Sequence, residues 1–404
     1  MIIFDDGRGQ FGPMTDLRAS FEIRTGMYTT AGRFQMLHPK SLAGYWVPDR
    51  LRPMLAERAN APVNEISVDE SLLCLNGRWV LPDLDLINTP GVGEAVLEAG
   101  SGDVVAARLR RADAEYFLKS GQFHERVRVR QVEERILCRF PWDIIALMKE
   151  TIPVDIEVTR ILEERLAPPN CHMVGEGAVK IHASATIFPG VVFDTTQGDL
   201  ILHERSIIRP GAILCGPCSI GRGATVLDHS ILKPFTVIGP VCKVAGEVGG
   251  TIFQGYSNKA HDGHLGDSWV GKWVNFGAGT TNSNLLNTYG EVSMRIEPEG
   301  PRRRTGLHYL GAIIGDHTKF AINTRLMTGT VVGTGSMIAM STPPPTTIPR
   351  FSWLTDHGAR RYQIDKFLKV MESMMARRGM SSKEAYFEQI RGLHHHSSLP
   401  EMED

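Results

Sequence analysis

The stretch Asn258-Lys-Ala-His-Asp-Gly-His-Leu-Gly266 is followed directly by Asp267-Ser-Trp-Val-Gly-Lys-Trp-Val-Asn-Phe-Gly-Ala-Gly-Thr-Thr-Asn-Ser-Asn284. It lies in a region whose large apolar residues recur every six positions. The series are Ile314, Phe320, Leu326, Val332 and Ile338; Ile220, Val226, Leu232 and Ile238; Ile201, Ile207 and Ile213; Ile181 and Ile187; Val270 and Phe276. Neither a helix nor a two-faced strand has a period of six, whereas a hexapeptide repeat does. The sequence therefore predicts a left-handed parallel β-helix, with one large apolar residue per side pointing to the axis and successive turns burying one another.

Glycines fall where such a coil has its corners. Glycine tolerates backbone conformations that other residues resist. The predicted corner glycines are Gly190, Gly211, Gly221, Gly239, Gly277 and Gly315.

Composition narrows the class of protein. The 404 residues carry a formal net charge of −1, which gives no electrostatic reason to expect binding to nucleic acid or to an anionic membrane. The chain has no apolar run of 18 residues, and its N-terminus is acidic where a signal peptide is basic. Six cysteines without the spacing of a disulfide framework agree with a reducing compartment. We therefore expect a soluble, cytoplasmic protein.

Residues 1–140 lack the six-residue rhythm and predict a separate α/β domain. We expect a strand at Met1–Phe4, a hairpin around Asn76-Gly77, a loop entering a helix over 90–100 and a strand from Asp103.

A helical linker is predicted over 141–172, where apolar residues have helical spacing as far as Arg165, and the coil over 173–345. A polar excursion over 285–306 interrupts the coil, and the prolines after Thr342 are expected to end it. The C-terminal part, 346–404, is predicted as an amphipathic helix over 358–379 and a loose tail that includes His394–His396. Its expected apolar face is Tyr362, Phe367, Leu368, Met371 and Met375.

The opening stretch resembles the acetyltransferase half of the GlmU family, as do Val274-Asn-Phe-Gly-Ala-Gly-Thr, Asn284 and the preceding Ile208-Arg-Pro-Gly-Ala. Members of that family acetylate glucosamine 1-phosphate with acetyl-CoA and uridylylate the product. The whole chain is similar to a shortened GlmU-like group with a divergent N-terminal domain, described as sugar nucleotidyltransferases. The resemblance is strongest over about 200–340 and implies a homotrimer with sites where neighbouring coils meet.

The resemblance also implies roles for single residues. His261 matches the general base, and Arg209 matches an arginine that meets the sugar phosphate. Asn275 and Asn284 match amides of the acceptor pocket. Ala278 matches a position whose backbone faces the acetyl-CoA thioester.

Two further positions match less directly. His264 stands where the family has a tyrosine that contacts the sugar phosphate. Lys243, with Glu247 beside it in the sequence, lies near the position of a second phosphate-binding lysine.

The residue types suit this chemistry without the resemblance. An amine that attacks a thioester must lose a proton, and histidine accepts protons near neutral pH. Arginine and lysine are suitable donors to a phosphate. Asparagine amides can bind sugar hydroxyl groups without adding charge.

Structural interpretations compete with these roles. A single histidine in a repeat protein is usually structural, although the pair His261 and His264 favours a site. Asn275 and Asn284 could be stacked corner asparagines, and Arg209 a corner residue.

Two other motifs are ambiguous. Cys215-Gly-Pro-Cys218 has the spelling of a redox motif, but the coil rhythm runs through it, so a redox or zinc site is not expected. The arginines 302–304 belong either to a solvated loop or to a contact with CoA phosphates.

The chain departs from the family pattern at several positions. After Asn284, the usual aromatic-Asp-Gly continuation and the lysine that follows it are replaced by the excursion. Ile322 and Met340 stand where small residues contact CoA. The acyl donor or the acceptor sugar can therefore differ from those of the family.

The N-terminal domain lacks the Gly-rich loop that cradles nucleotide phosphates in ordinary sugar nucleotidyltransferases. From the similar group, Arg18, Arg24 and Lys40 are candidate phosphate contacts. Candidate Mg²⁺ ligands are Asp5, Asp6 and Asp83, although no ligand set can be chosen. A substrate-binding or vestigial domain with surface arginines is the alternative.

We predict a transferase of nucleotide-sugar synthesis. The coil would N-acetylate an amino-sugar 1-phosphate with acetyl-CoA, and the N-terminal domain would transfer a nucleotidyl group from an NTP such as UTP with Mg²⁺. One alternative is nucleotidyl transfer alone, with the coil as an oligomerisation and regulatory platform as in ADP-glucose pyrophosphorylase-type enzymes. The other is a non-catalytic scaffold that binds a sugar phosphate.

Overall fold

A computed structural model describes residues 1–37, 42–66, 71–161, 163–397 and 399. The N-terminal domain is a six-stranded mixed sheet in the order β2-β1-β3-β5-β4-β6, in which β1 is parallel to both of its neighbours. Its elements are β1 (Ile2–Phe4), α1 (Thr30–Leu37), β2 (Gly44–Trp46), α2 (Arg52–Ala56), β3 (Leu72–Asn76), α3 (Leu84–Asn88), β4 (Glu94–Glu98), β5 (Val104–Leu109), α4 (Arg111–Ser120) and β6 (Arg128–Val132), with 3-10 turns at Gly12–Thr15, Ser20–Glu22 and Asp49–Leu51. The predicted α/β domain is confirmed.

Two local predictions in this domain are wrong. The strand that ends at Asn76 does not form a hairpin around Asn76-Gly77, because β3 pairs with β1 and with the later strand β5. The segment 90–100 enters strand β4 rather than a helix, because Ala95 and Val96 are buried between β5 and β6. The strands at Ile2–Phe4 and Val104–Leu109 agree with expectation.

Helix α5 (Pro141–Val158) connects the domain to the coil. It is held to the N-terminal domain by a buried ion pair, in which Arg33 Nε and Nη2 donate to the two carboxylate oxygens of Asp155 at 2.8 and 2.7 Å. Both side chains are at most 4% exposed. The prediction that helical structure continues to Arg165 is wrong. Helix α5 ends at Val158, and Glu164–Arg165 forms the first coil strand.

The coil consists of short strands that pair in parallel from one turn to the next, apart from an antiparallel strand at each end and the inserted antiparallel pair β27 and β28. Its first strands are β7 (Glu164–Arg165), β8 (His172–Val174), β9 (Val179–His182), β10 (Thr186–Ile187), β11 (Val192–Asp194), β12 (Leu200–Leu202), β13 (Ile207–Ile208), β14 (Ile213–Cys215), β15 (Cys218–Ile220), β16 (Thr225–Val226), β17 (Ile231–Leu232), β18 (Thr236–Ile238), β19 (Lys243–Val244), β20 (Glu247–Gly249), β21 (Ile252–Gly255), β22 (Asn258–Lys259) and β23 (His264–Gly266). The remaining strands are β24 (Trp269–Lys272), β25 (Asn275–Phe276), β26 (Thr281–Asn282), β27 (Ser293–Arg295), β28 (Arg302–Arg304), β29 (Ala312–Ile314), β30 (Lys319–Phe320), β31 (Arg325–Leu326), β32 (Thr330–Val332), β33 (Met337–Ala339), β34 (Thr347–Ile348), β35 (Ser352–Thr355) and β36 (Gly358–Arg361). The predicted left-handed parallel β-helix is confirmed.

Three faces can be distinguished by what covers them. The α5 face is the ten-stranded sheet from β7 to β34, on which α5 packs its apolar side through Trp142, Ile145 and Met148. The α6 face is the sheet from β10 to β36, whose later strands are covered by the C-terminal helices. The open face is the six-stranded sheet β23-β20-β17-β14-β11-β8, whose outward Ile213 and Ile231 stay partly exposed.

The predicted six-residue series agree with the coil core except in the earlier turns, where the residues that line the axis are shifted by one position. Ile220 to Ile238 and Ile314 to Ile338 line the axis as expected. In the earlier turns the axis is lined by Leu202, Ile208 and Leu214, each one residue after the predicted Ile201, Ile207 and Ile213. Ile201 is also buried, but it packs outward among the apolar residues that meet α5. Two adjacent apolar residues can both be buried when both faces of a strand are covered.

The corner glycines serve two purposes. Gly190 and Gly211 adopt positive φ of +75° and +69°, as a turn requires. At Gly239, by contrast, a Cβ would lie 2.2 Å from the Phe253 carbonyl oxygen of the next turn. Glycine is needed there because successive turns approach closely.

The parallel ladder continues past the prolines after Thr342, since β34 pairs with β32 and β35 pairs with β33. Helix α6 (Ile364–Ala376) follows, and its buried residues are Phe367, Leu368, Met371 and Met375. It is shorter than predicted, because Gly358–Arg361 instead folds back onto β35 as β36.

The loose tail expected for the last dozen residues is wrong at its start, because helix α7 (Glu384–His395) extends into it. Ile390 and His394 lie four residues apart on its buried side, and His394 Nε2 lies 2.7 Å from the Tyr362 carbonyl oxygen. An apolar and a hydrogen-bonded contact therefore order this segment.

The excursion forms an antiparallel hairpin of β27 and β28. Arg303 lies over the ring of Phe140, and Arg304 pairs with Glu291. Within the described part of the chain, no helix combines the length and apolar character that crossing a membrane would require.

Candidate functional site

His261 lies at the corner between β22 on the α6 face and β23 on the open face. Its side chain is exposed, and within the described residues its ring makes no hydrogen bond. Lys259 holds this corner from inside the coil. Its ammonium donates to the carbonyl oxygens of Ala245 and His261, both at 3.0 Å.

Lys259 is 1% exposed, and burial lowers its pKa to about 8. A lysine inside a coil core is unusual, since burying an ammonium is costly unless its donors are satisfied. Here its two carbonyl acceptors belong to neighbouring turns and fix the His261 corner. Lys259 was not among the residues predicted from the sequence, although it lies only two positions before His261 in the opening stretch.

A second group of polar side chains surrounds Gly266 on the open face. His264 and Glu247 are register partners on β23 and β20, and His264 Nδ1 lies 3.5 Å from Glu247 Oε1. On the other side, Asn284 Nδ2 donates to Asp267 Oδ2 at 2.6 Å. A Cβ on Gly266 would come within 2.7 Å of both His264 Nε2 and Asn284 Nδ2. The structure therefore brings His264 and Asn284 together.

Burial raises the pKa of Asp267, although the Asn284 amide and nearby cations partly oppose the shift. The side-chain amide of Asn284 is therefore oriented by an acidic neighbour and lies close above Gly266. The arrangement can position an acceptor without placing another full charge beside it.

The predicted phosphate contacts are not gathered at this place. Arg209 lies at the same corner column as His261 but three turns earlier, a separation of about 14 Å at ordinary strand spacing. Its guanidinium donates to Asp228 at 3.2 Å and lies 4.5 Å from the ring centre of Phe188, so residues of adjacent turns hold it. Within one chain, Arg209 and His261 do not contact a common small substrate.

Lys243 and Asn275 lie on the α6 face, around the corner from His264. They are exposed and occupy the same register column, separated by Asn258. Asn258 Oδ1 accepts a hydrogen bond from Arg378 Nη2 at 2.7 Å, and Arg378 follows helix α6. The structure thus places these two residues together, but apart from the group around Gly266.

Ala278 lies at the corner one turn beyond His261. Its carbonyl accepts from the Asn323 amide at 2.7 Å, while within the described residues its own N–H donates to no group. Ile322 follows in the same corner column and is 68% exposed. Met340 comes next and is partly buried. The Ala278 N–H, which has no acceptor among the described residues, thus lies in the same corner column as the apolar side chains of Ile322 and Met340.

Arg18 and Arg24 line a cavity of about 450 Å³ between the N-terminal domain, the coil and α7, which we call the junction pocket. Arg18 is buried and pairs with Asp316 of the coil. Arg24 Nε is buried without a hydrogen-bond partner. Lys40 lies outside the described residues.

The three aspartates proposed for Mg²⁺ have structural partners. Asp6 pairs with Arg78 at 2.6 Å, and Asp83 caps helix α3. Asp5 accepts from the backbone amides of Ser20 and Gly7. Among the described residues, no group of three or more His, Cys, Asp or Glu side chains could hold a metal ion. These carboxylates do not fit a resident magnesium site.

A larger cavity, about 610 Å³, opens at the carboxyl end of β1 and is called the β1 crevice. Open α/β sheets usually bind ligands at such a point, where the strand order reverses. Its cations Arg8 and Lys119 are already paired with Asp103 and Glu115. Asp5, Asp6 and Asp49 add negative charge.

Comparison with known proteins relates the N-terminal domain to a described family and the chain to bifunctional enzymes. Residues 1–161 match the model of a sugar nucleotidyl transferase family. The chain is 32% identical over 139 residues to a bifunctional sugar-1-phosphate nucleotidylyltransferase/acetyltransferase of Sulfurisphaera tokodaii, covering 34% of each chain. It is 27% identical over 253 residues to the bifunctional protein GlmU of Rhodococcus jostii, covering 62% of this chain and 43% of that protein.

Over these segments the chain is similar to bifunctional sugar-phosphate nucleotidylyltransferase/acetyltransferase proteins, GlmU among them.

The chain spans well under two thirds of the length of these two relatives. Among solved structures, it is similar to a UDP-N-acetylglucosamine acyltransferase of Francisella novicida at 13% identity and a TM-score of 0.32, covering 59% of this chain and 94% of that one. A likeness of this size supports no conclusion about activity.

Proposed function

We propose that the coil of this chain transfers an acetyl group from acetyl-CoA to the amine of an amino-sugar 1-phosphate such as glucosamine 1-phosphate. The observation that carries the proposal is the exposed His261 ring on a corner fixed by Lys259, beside the group around Gly266. A general base needs this combination of an accessible nitrogen and a fixed backbone.

Each step uses groups described above. The neutral amine nitrogen of the substrate bonds to the thioester carbonyl carbon, and the His261 imidazole takes the proton that this nitrogen loses. The Ala278 N–H donates to the developing oxyanion. The C–S bond then breaks, and the imidazolium returns the proton to the departing thiolate. The apolar corner column with Ile322 contacts the acyl-CoA.

Acceptor binding involves the remaining predicted residues. Asn284 and His264 contact the sugar from the open face, and Asn275 contacts it from the α6 face. Arg209 and Lys243 bind the phosphate. Arg209 and His261 are three turns apart in one chain and do not reach a common small substrate within it. We therefore propose a homotrimer in which neighbouring coils complete each site. The partly exposed Ile213 and Ile231 on the open face supply apolar surface for such packing.

We further propose that the N-terminal domain transfers a nucleotidyl group from an NTP such as UTP to the acetylated sugar phosphate and releases pyrophosphate. The match of residues 1–161 to a sugar nucleotidyl transferase family supports it. Arg18, Arg24 and Lys40 are the proposed phosphate contacts. No step is assigned to a bound metal, because the described carboxylates do not fit one.

Thiol release from acetyl-CoA in the presence of glucosamine 1-phosphate tests the acyltransferase. We expect His261→Ala to lower the rate by about a hundredfold or more, the usual effect of removing a general base. His357→Ala is the matched control, because His357 is an exposed coil-end histidine outside the proposed site. Absence of release by wild type with several amino-sugar phosphates would contradict the proposal and favour a coil that serves only assembly or binding.

A further inference from the structure

The junction pocket has an excess of positive charge that its own acids do not neutralise. Four cationic side chains line it, from three separate parts of the chain, and two acidic ones do. The cationic residues are Arg18, Arg24, Arg58 and Lys272, and the acidic residues are Glu22 and Asp316.

Both acids are already engaged. Arg58 donates to the two carboxylate oxygens of Glu22 at 3.0 and 2.8 Å. Arg18 pairs with Asp316, whose other oxygen accepts from the Lys272 backbone amide at 2.8 Å. The positive charges of Arg24 and Lys272 are therefore left over.

Lys272 comes from coil strand β24, and its ammonium has no hydrogen bond or ion pair within the described part of the chain. Burial, with Arg18 nearby, lowers its pKa to about 8. Arg24 Nη1 donates to the Met27 carbonyl oxygen, but its Nε is buried without a partner, and burial lowers the pKa of the guanidinium. A charged group in such a setting is costly unless an anion accompanies it.

The cationic side chains of the pocket suit a phosphate chain, because arginine and lysine bind phosphates. The aromatic residues of its wall pack on one another: Phe21 stacks on Tyr45 with ring centres 5.1 Å apart, and Tyr256 stacks on Trp273 at 4.8 Å. Phe21 is 0% and Tyr45 6% exposed, so these two rings form an apolar wall and leave little ring face open to a base. A cavity of about 450 Å³ lies in the size range of small-molecule sites.

The β1 crevice is a weaker candidate for a phosphate chain, although its place in the sheet is the usual one. Its acidic residues outnumber its cationic ones, and both cations have acidic partners. Charge therefore favours the junction pocket.

We propose that the junction pocket binds the phosphate chain of a nucleotide, and that the coil supplies Lys272 to this site beside Arg24 of the N-terminal domain. The proposal rests on the proposed nucleotidyl transfer for the identity of the ligand, and it adds that both domains form the site. Helix α7 closes the pocket through Tyr386, whose hydroxyl lies 2.7 Å from His317 Nε2 of the coil.

Binding of inorganic pyrophosphate to the full chain, measured by calorimetry, tests the proposal without assuming a base or a turnover. Wild type should bind, and Lys272→Met should lower the affinity about tenfold or more, as expected for a charge-assisted contact. Lys272→Arg should keep most of the affinity because it restores the charge. Lys369→Met, at an exposed lysine of α6, should bind as wild type does.

Absence of pyrophosphate binding by wild type would overturn the proposal. So would an affinity that falls in Lys119→Met of the β1 crevice but not in Lys272→Met. Unchanged thermal melting of each variant shows that the loss is not unfolding. Loss of binding in Lys272→Met, together with no pyrophosphate release by wild type from several NTPs with sugar 1-phosphates, would support phosphate binding in the junction pocket and contradict the proposed nucleotidyl transfer.

Discussion

The His261 corner and the junction pocket differ in how complete they are within one chain. The corner is exposed, its base has no partner among the described residues, and the arginine predicted to share its substrate lies three turns away. The junction pocket lies between the N-terminal domain, the coil and α7, and cations from separate parts of one chain line it. We therefore expect the proposed coil chemistry to require several copies of the chain, whereas the junction pocket forms when one chain folds onto itself.

The largest effect on the junction side is expected from Asp155→Asn. The substitution leaves Arg33 buried without its counterion, which costs about 3–5 kcal/mol. Thermal melting should therefore shift far downward. Asp365→Asn, at an exposed carboxylate of α6, is the control and should change stability by less than about 0.5 kcal/mol. Equal melting of the two variants would show that α5 is not anchored by this ion pair.

A smaller effect, on the corner side, is expected from Arg209→Ala. We expect thiol release to fall about tenfold, because a charged contact to the phosphate is lost. Co-expression of Arg209→Ala with His261→Ala chains should then restore part of the activity, since mixed assemblies contain some sites with both residues intact. Activity in the mixture no higher than in the separate variants would contradict a site shared between copies.

The smallest expected effect concerns pH. Lys319 lies under α6, and burial lowers its pKa to about 7, against about 10.4 for an unfolded lysine. Above pH 7 the folded chain has lost a proton that the unfolded chain keeps, so this residue makes stability rise with pH.

We expect Lys319→Met to flatten the rise in melting temperature between pH 7 and 8.5. Above that window, the pKa of buried Cys74, raised by burial to about 12, acts in the opposite direction. An unchanged slope in Lys319→Met would contradict the buried, deprotonating lysine.

Sequence reasoning identified the coil and its corner because both are local. The six-residue series from Ile220 to Ile238 points to the axis, and the opening stretch places His261 on a corner. The register of Ile201 was misjudged because α5 buries the outward face as well, which a single-chain pattern cannot distinguish.

The junction pocket was not predictable in this way. Arg18, Lys272 and Tyr386 are far apart in the sequence, and only the packing of α7 and the N-terminal domain onto the coil brings them together. Arg18 and Arg24 were named as phosphate contacts from a resemblance alone, while Lys272 carried no sequence signal. Burial and the matching of charges are properties of the folded chain.

One experiment tests the separation of the two sites most directly. Thiol release and pyrophosphate release are measured side by side in wild type, His261→Ala and Lys272→Met, with acetylated sugar phosphate supplied for the second reaction. We predict that His261→Ala loses thiol release and keeps pyrophosphate release, and that Lys272→Met shows the reverse. Loss of both activities in either variant, with melting unchanged, would contradict two separate sites.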